Sequence, residues 1–328
     1  MRIIQVFASK IDSNQSKDYA PFLKSQLAGL MKFISFDLIN LEKGRNPLNI
    51  LRNIVRLRRG TDKSSITHVH FGGYLAAFVF FFGRSKFQIV SYGGTDINGR
   101  PGKSYQAIAY NLPLKIINQY VQKKASWIIV KSDSLKNKID PIFHWKTTII
   151  PNGVDLAFFK PFDGPNMNRV NSFVILFNYR RGDKVDHVKN LPLANATIRE
   201  LMRRGRDVSL ELIENTPRKE MPKILSSGDC LLLTSYSEGS PNIVKESMAC
   251  NLPVISVDCG DVKWLLNNVT NSYVCEKYDS NLLADLIEKI MLNRERSNGR
   301  KVLIEKNLDA DFRNKQVLEI YQKFSCNL

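Results

Sequence analysis

The chain has 328 residues, 43% of them hydrophobic, with 48 Lys and Arg against 31 Asp and Glu, a formal net charge of +17. That length and apolar content can bury two cores of about 150 residues each. It shows no internal repeat, no low-complexity segment and no apolar run near the ~20 residues a bilayer crossing needs, which excludes solenoids and membrane-spanning helices.

The first ten residues, MRIIQVFASK, hold too short an apolar stretch for a secretory signal and predict the first strand of a sheet. Apolar runs at 3–8, 66–71, 87–92, 127–131 and 147–150 read as strands; helical spacing occupies 19–31, 48–59, 73–82 and 105–124. This alternation implies a parallel, doubly wound sheet. Residues 47–59 (PLNILRNIVRLRR) interleave Leu48, Leu51, Ile54, Val55 and Leu57 with Arg52, Arg56, Arg58 and Arg59. Two readings stand for that basic amphipathic helix: contact with an anionic lipid surface, or core packing with a solvated arginine face. His68 and His70 share one face of a strand; without a nearby carboxylate or cysteine they make a poor metal site and are expected at a strand end facing a cleft.

Charge divides the chain. Residues 1–150 carry 23 basic against 8 acidic side chains, and residues 151–328 carry 25 against 23. No helix-turn-helix, zinc-finger or RNP-like motif accompanies the basic half, so nucleic acid is not the expected partner. Five cysteines, an odd number without a C-x-x-C pair, fit a reduced, cytoplasmic compartment.

The second half repeats the pattern, with strands predicted at 173–177, 208–213, 230–234 and 254–257 and helices at 191–204 and 219–226. Between the last two strands lies SYSEGSPNIVKESMACNLPVISVDCGDV, residues 235–262. Ser240 is placed to cap a helix, Pro241 to occupy its first position, and the helix to run over 242–250. A strand–helix–strand unit binds ligands beyond the carboxyl ends of its strands, and a helix start offers free N–H groups to a phosphate. Glu238 precedes the turn and Glu246 lies about a turn and a half into the helix, so the two carboxylates can accept hydrogen bonds from hydroxyls at separate ends of one ligand.

The run EGSPNIVKESMACNLPVIS followed by Gly260 resembles the donor-binding segment of the retaining glycosyltransferases of family 4 (glycosyl transferases group 1). Residues 149–161 (IIPNGVDLAFFKP) resemble that family's crossing between domains, 91–97 (SYGGTDI) its acceptor-side loop, and 188–194 (VKNLPLA) its phosphate-binding lysine region. The resemblance implies the GT-B fold: α/β, two doubly wound Rossmann-like domains facing a central cleft. An acceptor domain would span 1–150, a nucleotide-sugar domain 151–308, and a last helix from 309–328 would cross back to the first. It implies Glu238 on the transferred sugar and Glu246 on the ribose, with Gly239, Ser240, Pro241, Asn242 and Ile243 lining the donor between them.

Breaking a sugar–phosphate bond leaves a diphosphate that gains negative charge, which calls for cations. Lys189 is the expected one, joined by Arg180 or Arg181, and Gly260 would let backbone approach the diphosphate. On the acceptor side Gly93 stands where many members have histidine, leaving Asp96 either to orient or deprotonate the acceptor hydroxyl or to cap the next segment. Asn152, Gly153 and Asp155 are expected to shape the crossing. No metal or cofactor is expected: Asp309-Ala310-Asp311 matches a D-x-D pattern but lies away from any predicted strand end. The expected substrates are a UDP- or GDP-linked sugar and a lipid-linked or oligosaccharide acceptor for bacterial surface polysaccharide (capsule, O-antigen or exopolysaccharide). The enzyme would sit in the cytoplasm, peripheral on the inner face of the plasma membrane. Two rival classes remain: an oxidoreductase, for which G-x-G-x-x-G is missing after the first strand, and a non-catalytic membrane-surface scaffold.

Overall fold

The computed structural model describes residues 2–9, 21–42, 46–99, 105–162, 172–179 and 186–325. The chain divides into two compact units, Met1–Gly153 with Ala310–Leu328, and Val154–Asp309.

In the first unit, β1 (Arg2–Ser9), α1 (Pro21–Leu30), β2 (Asp37–Glu42), α2 (Pro47–Gly60), β3 (Ser65–His70), α3 (Gly73–Phe82), β4 (Phe87–Ser91), α4 (Thr95–Asn98), α5 (Tyr105–Lys124), β5 (Trp127–Val130), α6 (Asp133–Lys136) and β6 (Thr147–Ile149) alternate along the chain. The strands form one parallel sheet in the order β2-β1-β3-β4-β5-β6. Because a strand's side chains alternate between faces, the sheet feeds two cores. Ile4, Val6, Val69, Val90, Ile128 and Val130 meet Leu57 of α2, Ala76, Val79 and Phe80 of α3, and Val121 of α5. Ile3, Ile66, Ile89 and Ile129 meet Leu30 of α1 on the other face. Burial of each such side chain stabilises by about 1.5–3 kcal/mol before entropy is counted.

The second unit contains β7 (Phe173–Asn178), α7 (Asp186–Lys189), α8 (Leu191–Arg203), β8 (Val208–Ile213), α9 (Met221–Ser227), β9 (Cys230–Leu233), α10 (Asn242–Ala249), β10 (Val254–Val257), α11 (Val262–Leu266), β11 (Tyr273–Cys275), α12 (Ser280–Asn293) and α13 (Gly299–Glu305). Its parallel sheet runs β11-β10-β9-β7-β8. The last helix, α14 (Ala310–Ser325), packs Val317, Ile320 and Tyr321 onto the first unit's sheet beside α1. No helix among the described residues is long and apolar enough to cross a membrane.

Candidate active site

The strand order of the second unit reverses between β7 and β9, so the loops leaving their carboxyl ends part at that point and leave a crevice. Lys189 comes from the segment after β7 and Glu238 from the loop after β9. Lys189 Nζ donates to Glu238 Oε1 at 2.7 Å, and the two side chains keep only 17% and 18% exposure. The backbone holds them there. Thr234 Oγ1 lies 2.8 Å from the carbonyl of Lys189 and 3.0 Å from that of Asn190, and the Tyr236 N–H donates to the Val188 carbonyl at 2.8 Å. Asn190 takes the left-handed conformation, φ 54°, that turns the chain from α7 into α8.

Beneath this loop lies a polar cluster. Lys245 on α10 is fully buried and its Nζ donates to Ser240 Oγ at 3.0 Å. Ser240 therefore does not cap the helix as expected; Pro241 holds the cap position in place of the first helical one, its carbonyl accepting from the Lys245 N–H at 3.5 Å, and the helix runs from Asn242 to Ala249. Asp261 is pushed up to about 6 by burial, with the Lys245 charge and the Ser240 hydroxyl opposing the rise. Gly260, at φ 63°, passes so close that a Cβ there would meet the carbonyl oxygens of Glu238 and Gly239 at 3.0 Å. The close approach expected of this glycine is thus to the Glu238 loop itself. Ile243 is a second correction: its side chain is buried in the second unit's core, which leaves only its backbone N–H at the helix start for a ligand.

Glu246 keeps 14% side-chain exposure, and burial raises its carboxyl above the ordinary range while Arg218 pulls it back. Arg218 Nη1 donates to Glu246 Oε1 at 3.3 Å, and its guanidinium lies 4.9 Å from the Phe159 ring centre and 5.6 Å from that of Phe158. No motif marks Arg218, which opens a one-turn 3-10 helix (Arg218–Glu220) in the run TPRKE, and only the fold carries it to Glu246. Arg180 and Arg181 lie outside the described residues. Cys259 is buried beside this site, and desolvation pushes its thiol up to about 12, which keeps it in the less nucleophilic thiol form.

In the first unit Asp96 is buried and its carboxylate is wrapped by backbone amides: Gly72 N–H at 2.7 Å, Gly93 N–H at 3.0 and 3.1 Å, and Gly94 N–H at 2.7 Å. In place of an accessible base, the structure shows a carboxylate that ties the loop after β3 to the loop after β4. His68 and His70 are a third correction. Rather than lining an open strand end they are fully buried, and burial holds both below the usual imidazole range, His70 at about 3. One donor order satisfies their chain: His70 Nε2 to Gln5 Oε1 (2.7 Å), Gln5 Nε2 to Tyr321 Oη (3.0 Å), Tyr321 Oη to His68 Nδ1 (2.6 Å), and His68 Nε2 to Ser91 Oγ (2.8 Å). Asp311 of the D-x-D pattern pairs with Lys32 at 2.9 Å. Asp155 accepts from the Ala157 and Phe158 N–H groups and shapes the turn entering the second unit.

On α2, Asn53 and Leu57 face the sheet, while Leu48, Leu51 and Val55 are exposed beside Arg52, Arg56, Arg58 and Arg59. Asn53 bonds both backbone groups of Glu42 at 3.0 Å, and Arg56 pairs with the Glu42 carboxylate at 2.8 Å. The helix therefore packs through Asn53 and Leu57, with its arginines in solvent as the core-packing reading expects, and also turns Leu48, Leu51 and Val55 outward as the lipid-surface reading expects.

Comparison with known proteins bears on the family and the fold. Residues 202–307 match the family model of the glycosyl transferases group 1. The chain is 25% identical over 296 residues to an uncharacterized glycosyltransferase of Methanocaldococcus jannaschii, covering 78% of this chain and 71% of that one. Among solved structures it resembles sucrose-phosphate synthase from Thermosynechococcus elongatus, with a TM-score of 0.73 at 14% identity and full coverage of both chains. It also resembles Anabaena HepE in complex with UDP, with a TM-score of 0.69 at 14% identity over 98% of this chain and 100% of that one. At these identities the structural likeness is one of fold, and the fold is GT-B.

Proposed function

We propose that this chain, a glycosyltransferase of the GT-B fold, moves a sugar from a nucleotide-diphosphate sugar to an acceptor hydroxyl with retention at the anomeric carbon, as the resemblance to family 4 implies. The observation that carries the donor reading is the Lys189–Glu238 pair at the strand-order reversal, with Glu246 farther along the same segment and both carboxylates mostly buried. Glu238 holds the hydroxyls of the transferred sugar, and Glu246 those of the ribose. The diphosphate lies against the start of α10, whose first N–H groups lack helical partners, and Lys189 neutralises the charge that grows on the leaving phosphate. That assigns the task to the chain's own cation and amides rather than to a divalent metal or a cofactor. HepE was solved with UDP, which makes a uridine donor the first to try and a guanosine donor the second.

The acceptor falls to the first unit. Its excess of basic side chains suits an anionic, lipid-linked saccharide for bacterial surface polysaccharide, and the outward apolar and arginine faces of α2 suit a peripheral position on the cytoplasmic side of the membrane. The test is product stereochemistry. With an α-linked donor and an acceptor that is turned over, proton NMR of the first-formed product should show the anomeric coupling of an α-glycoside; a β-glycoside would reject the retaining mechanism, and no turnover of any UDP- or GDP-sugar would reject the donor reading.

A further inference from the structure

The surface that meets the membrane is larger than α2. We infer that α2, α3 and α5 together form one bilayer-docking face, with an apolar stripe on α5 that inserts among the lipids. The inference rests on the peripheral-membrane reading above and names the surface that carries it.

Topology puts the three helices in one layer. Right-handed crossovers from β2 to β3, β3 to β4 and β4 to β5 all run the same way across the sheet, so α2, α3 and α5 cover one face and α1 and α14 the other. Their buried residues agree, since Leu57, Val79 and Val121 share one core. Tyr74 of α3 stacks on Tyr110 of α5, with ring centres 5.1 Å apart, and donates to its carbonyl. The opposite sides of these helices therefore look away from the sheet together.

What they present there is apolar. On α5, Tyr105, Ile108, Leu112 and Ile116 recur at helical spacing within one narrow stripe, Leu112 at 79% and Ile116 at 70% exposure, while Ala107, Leu114 and Val121 face inward. Phe81 of α3 and Leu48, Leu51 and Val55 of α2 are exposed in the same layer. An apolar face of this kind on a soluble domain marks a docking surface.

Charge selects the occupant. None of the three helices contains Asp or Glu, whereas α2 carries Arg52, Arg56, Arg58 and Arg59, α5 carries Lys115, Lys123 and Lys124, and Arg84 and Lys86 follow α3. Glu42, on the neighbouring strand, offsets Arg56. The second unit differs: several of its arginines sit in mixed networks, with Arg204 on Glu200 and Asp285 and Arg206 on Glu288. A second copy of the chain would bring the same excess of basic charge to the contact and be repelled. An anionic bilayer supplies both the apolar interior and the negative headgroups, each basic residue near it contributing about a fourfold to sixfold gain in binding.

The test is co-sedimentation of the full chain with phosphatidylcholine vesicles containing 30–40% phosphatidylglycerol at about 0.1 M salt, set against phosphatidylcholine alone. The chain should bind the anionic vesicles, release as salt rises, and lose at least about tenfold in partitioning when Leu112→Ser and Ile116→Ser are combined, with titrated UDP or GDP affinity unchanged. Binding that falls with Arg52→Gln and Arg56→Gln but not with the α5 pair would overturn the three-helix face and leave peripheral association through α2 standing. Absence of binding to anionic vesicles would overturn both. A dimer in solution that the α5 pair dissolves would overturn the inference in favour of a second copy. The far-UV circular dichroism and thermal unfolding of the α5 pair guard against misfolding of the first unit, and the nucleotide titration against loss of the second.

Discussion

Lys189 and Glu238 stand 49 residues apart in sequence and 2.7 Å apart in space, one leaving each side of the strand-order reversal of the second unit. Each keeps the other in place, so a mostly buried cation stands beside the carboxylate proposed to meet the sugar. On the proposed donor reading, replacing Lys189 with alanine removes the charge that would stabilise the departing diphosphate. Turnover should fall by about 10²–10³, with a smaller loss in nucleotide affinity. Steady-state kinetics beside calorimetry separates the two; a loss confined to affinity would assign Lys189 to binding alone.

Arg218 holds the Glu246 carboxyl down against the upward push of burial. In Arg218→Ala that restraint is gone, so Glu246 takes up a proton at higher pH and accepts fewer hydrogen bonds from ribose hydroxyls. Nucleotide affinity in the variant should drop more at pH 6 than at pH 8.5. Equal losses at both would mean that Arg218 touches the nucleotide directly rather than through Glu246.

Asp261 is raised from the ordinary 3.8 to about 6, even with Lys245 and Ser240 favouring its charged form. Between those values the native state binds more protons than the unfolded chain, so stability falls as pH rises through the window. Asp261→Asn lacks this loss. Its advantage over the wild type in urea unfolding should grow by about 1 kcal/mol from pH 5 to pH 7.5. An advantage that stays constant with pH would place the Asp261 titration elsewhere.

The buried histidines act in the opposite direction. His70 is held near 3, below its ordinary 6.5, so between these values the unfolded chain binds the extra proton and stability is lost as pH falls below about 6.5. Glutamine can keep the donor to Gln5 without titrating. His70→Gln should therefore recover about 2 kcal/mol relative to the wild type between pH 7.5 and pH 5, read from denaturant midpoints. A parallel pair of pH curves would contradict the buried, neutral ring.

Tyr321 ties α14 to the first unit's sheet through Gln5 and His68. Tyr321→Phe keeps the ring in its core and strands two buried polar partners, which should cost about 1–3 kcal/mol. Proteolysis within 310–325 should quicken with it; unchanged resistance would show that apolar packing alone seats the helix.

Much of the fold was legible because its core strands are short apolar runs, as in 230–233 and 254–257, and its helices carry 3.6-residue spacing. The elements outside the predicted set have physical reasons. β2 is an edge strand whose first residues are exposed, so DLINLE shows no clean alternation. For α12 the signal exists: Asp279 caps the N–H groups of Asn281 and Leu282, and Leu283, Ala284, Ile287 and Ile290 form its buried stripe. Within the site, Glu238, Glu246 and Lys189 lie in motifs, whereas Arg218 and Asp261 acquire meaning only where the fold sets them against Glu246 and Lys245. Ile243 shows the limit of a motif, since membership in the segment does not say which way a side chain points.

In the proposed donor site Glu246 clasps the ribose of a bound nucleotide while Glu238 clasps the sugar. Calorimetric titration of UDP and GDP into the wild type, Glu238→Gln and Glu246→Gln tests it most directly, because a free nucleoside diphosphate has the ribose but not the transferred sugar. One of the two nucleotides should bind the wild type, at least tenfold more weakly to Glu246→Gln, and with nearly unchanged affinity to Glu238→Gln. Equal affinity for the wild type and Glu246→Gln, or no binding of either nucleotide to the wild type, would contradict it.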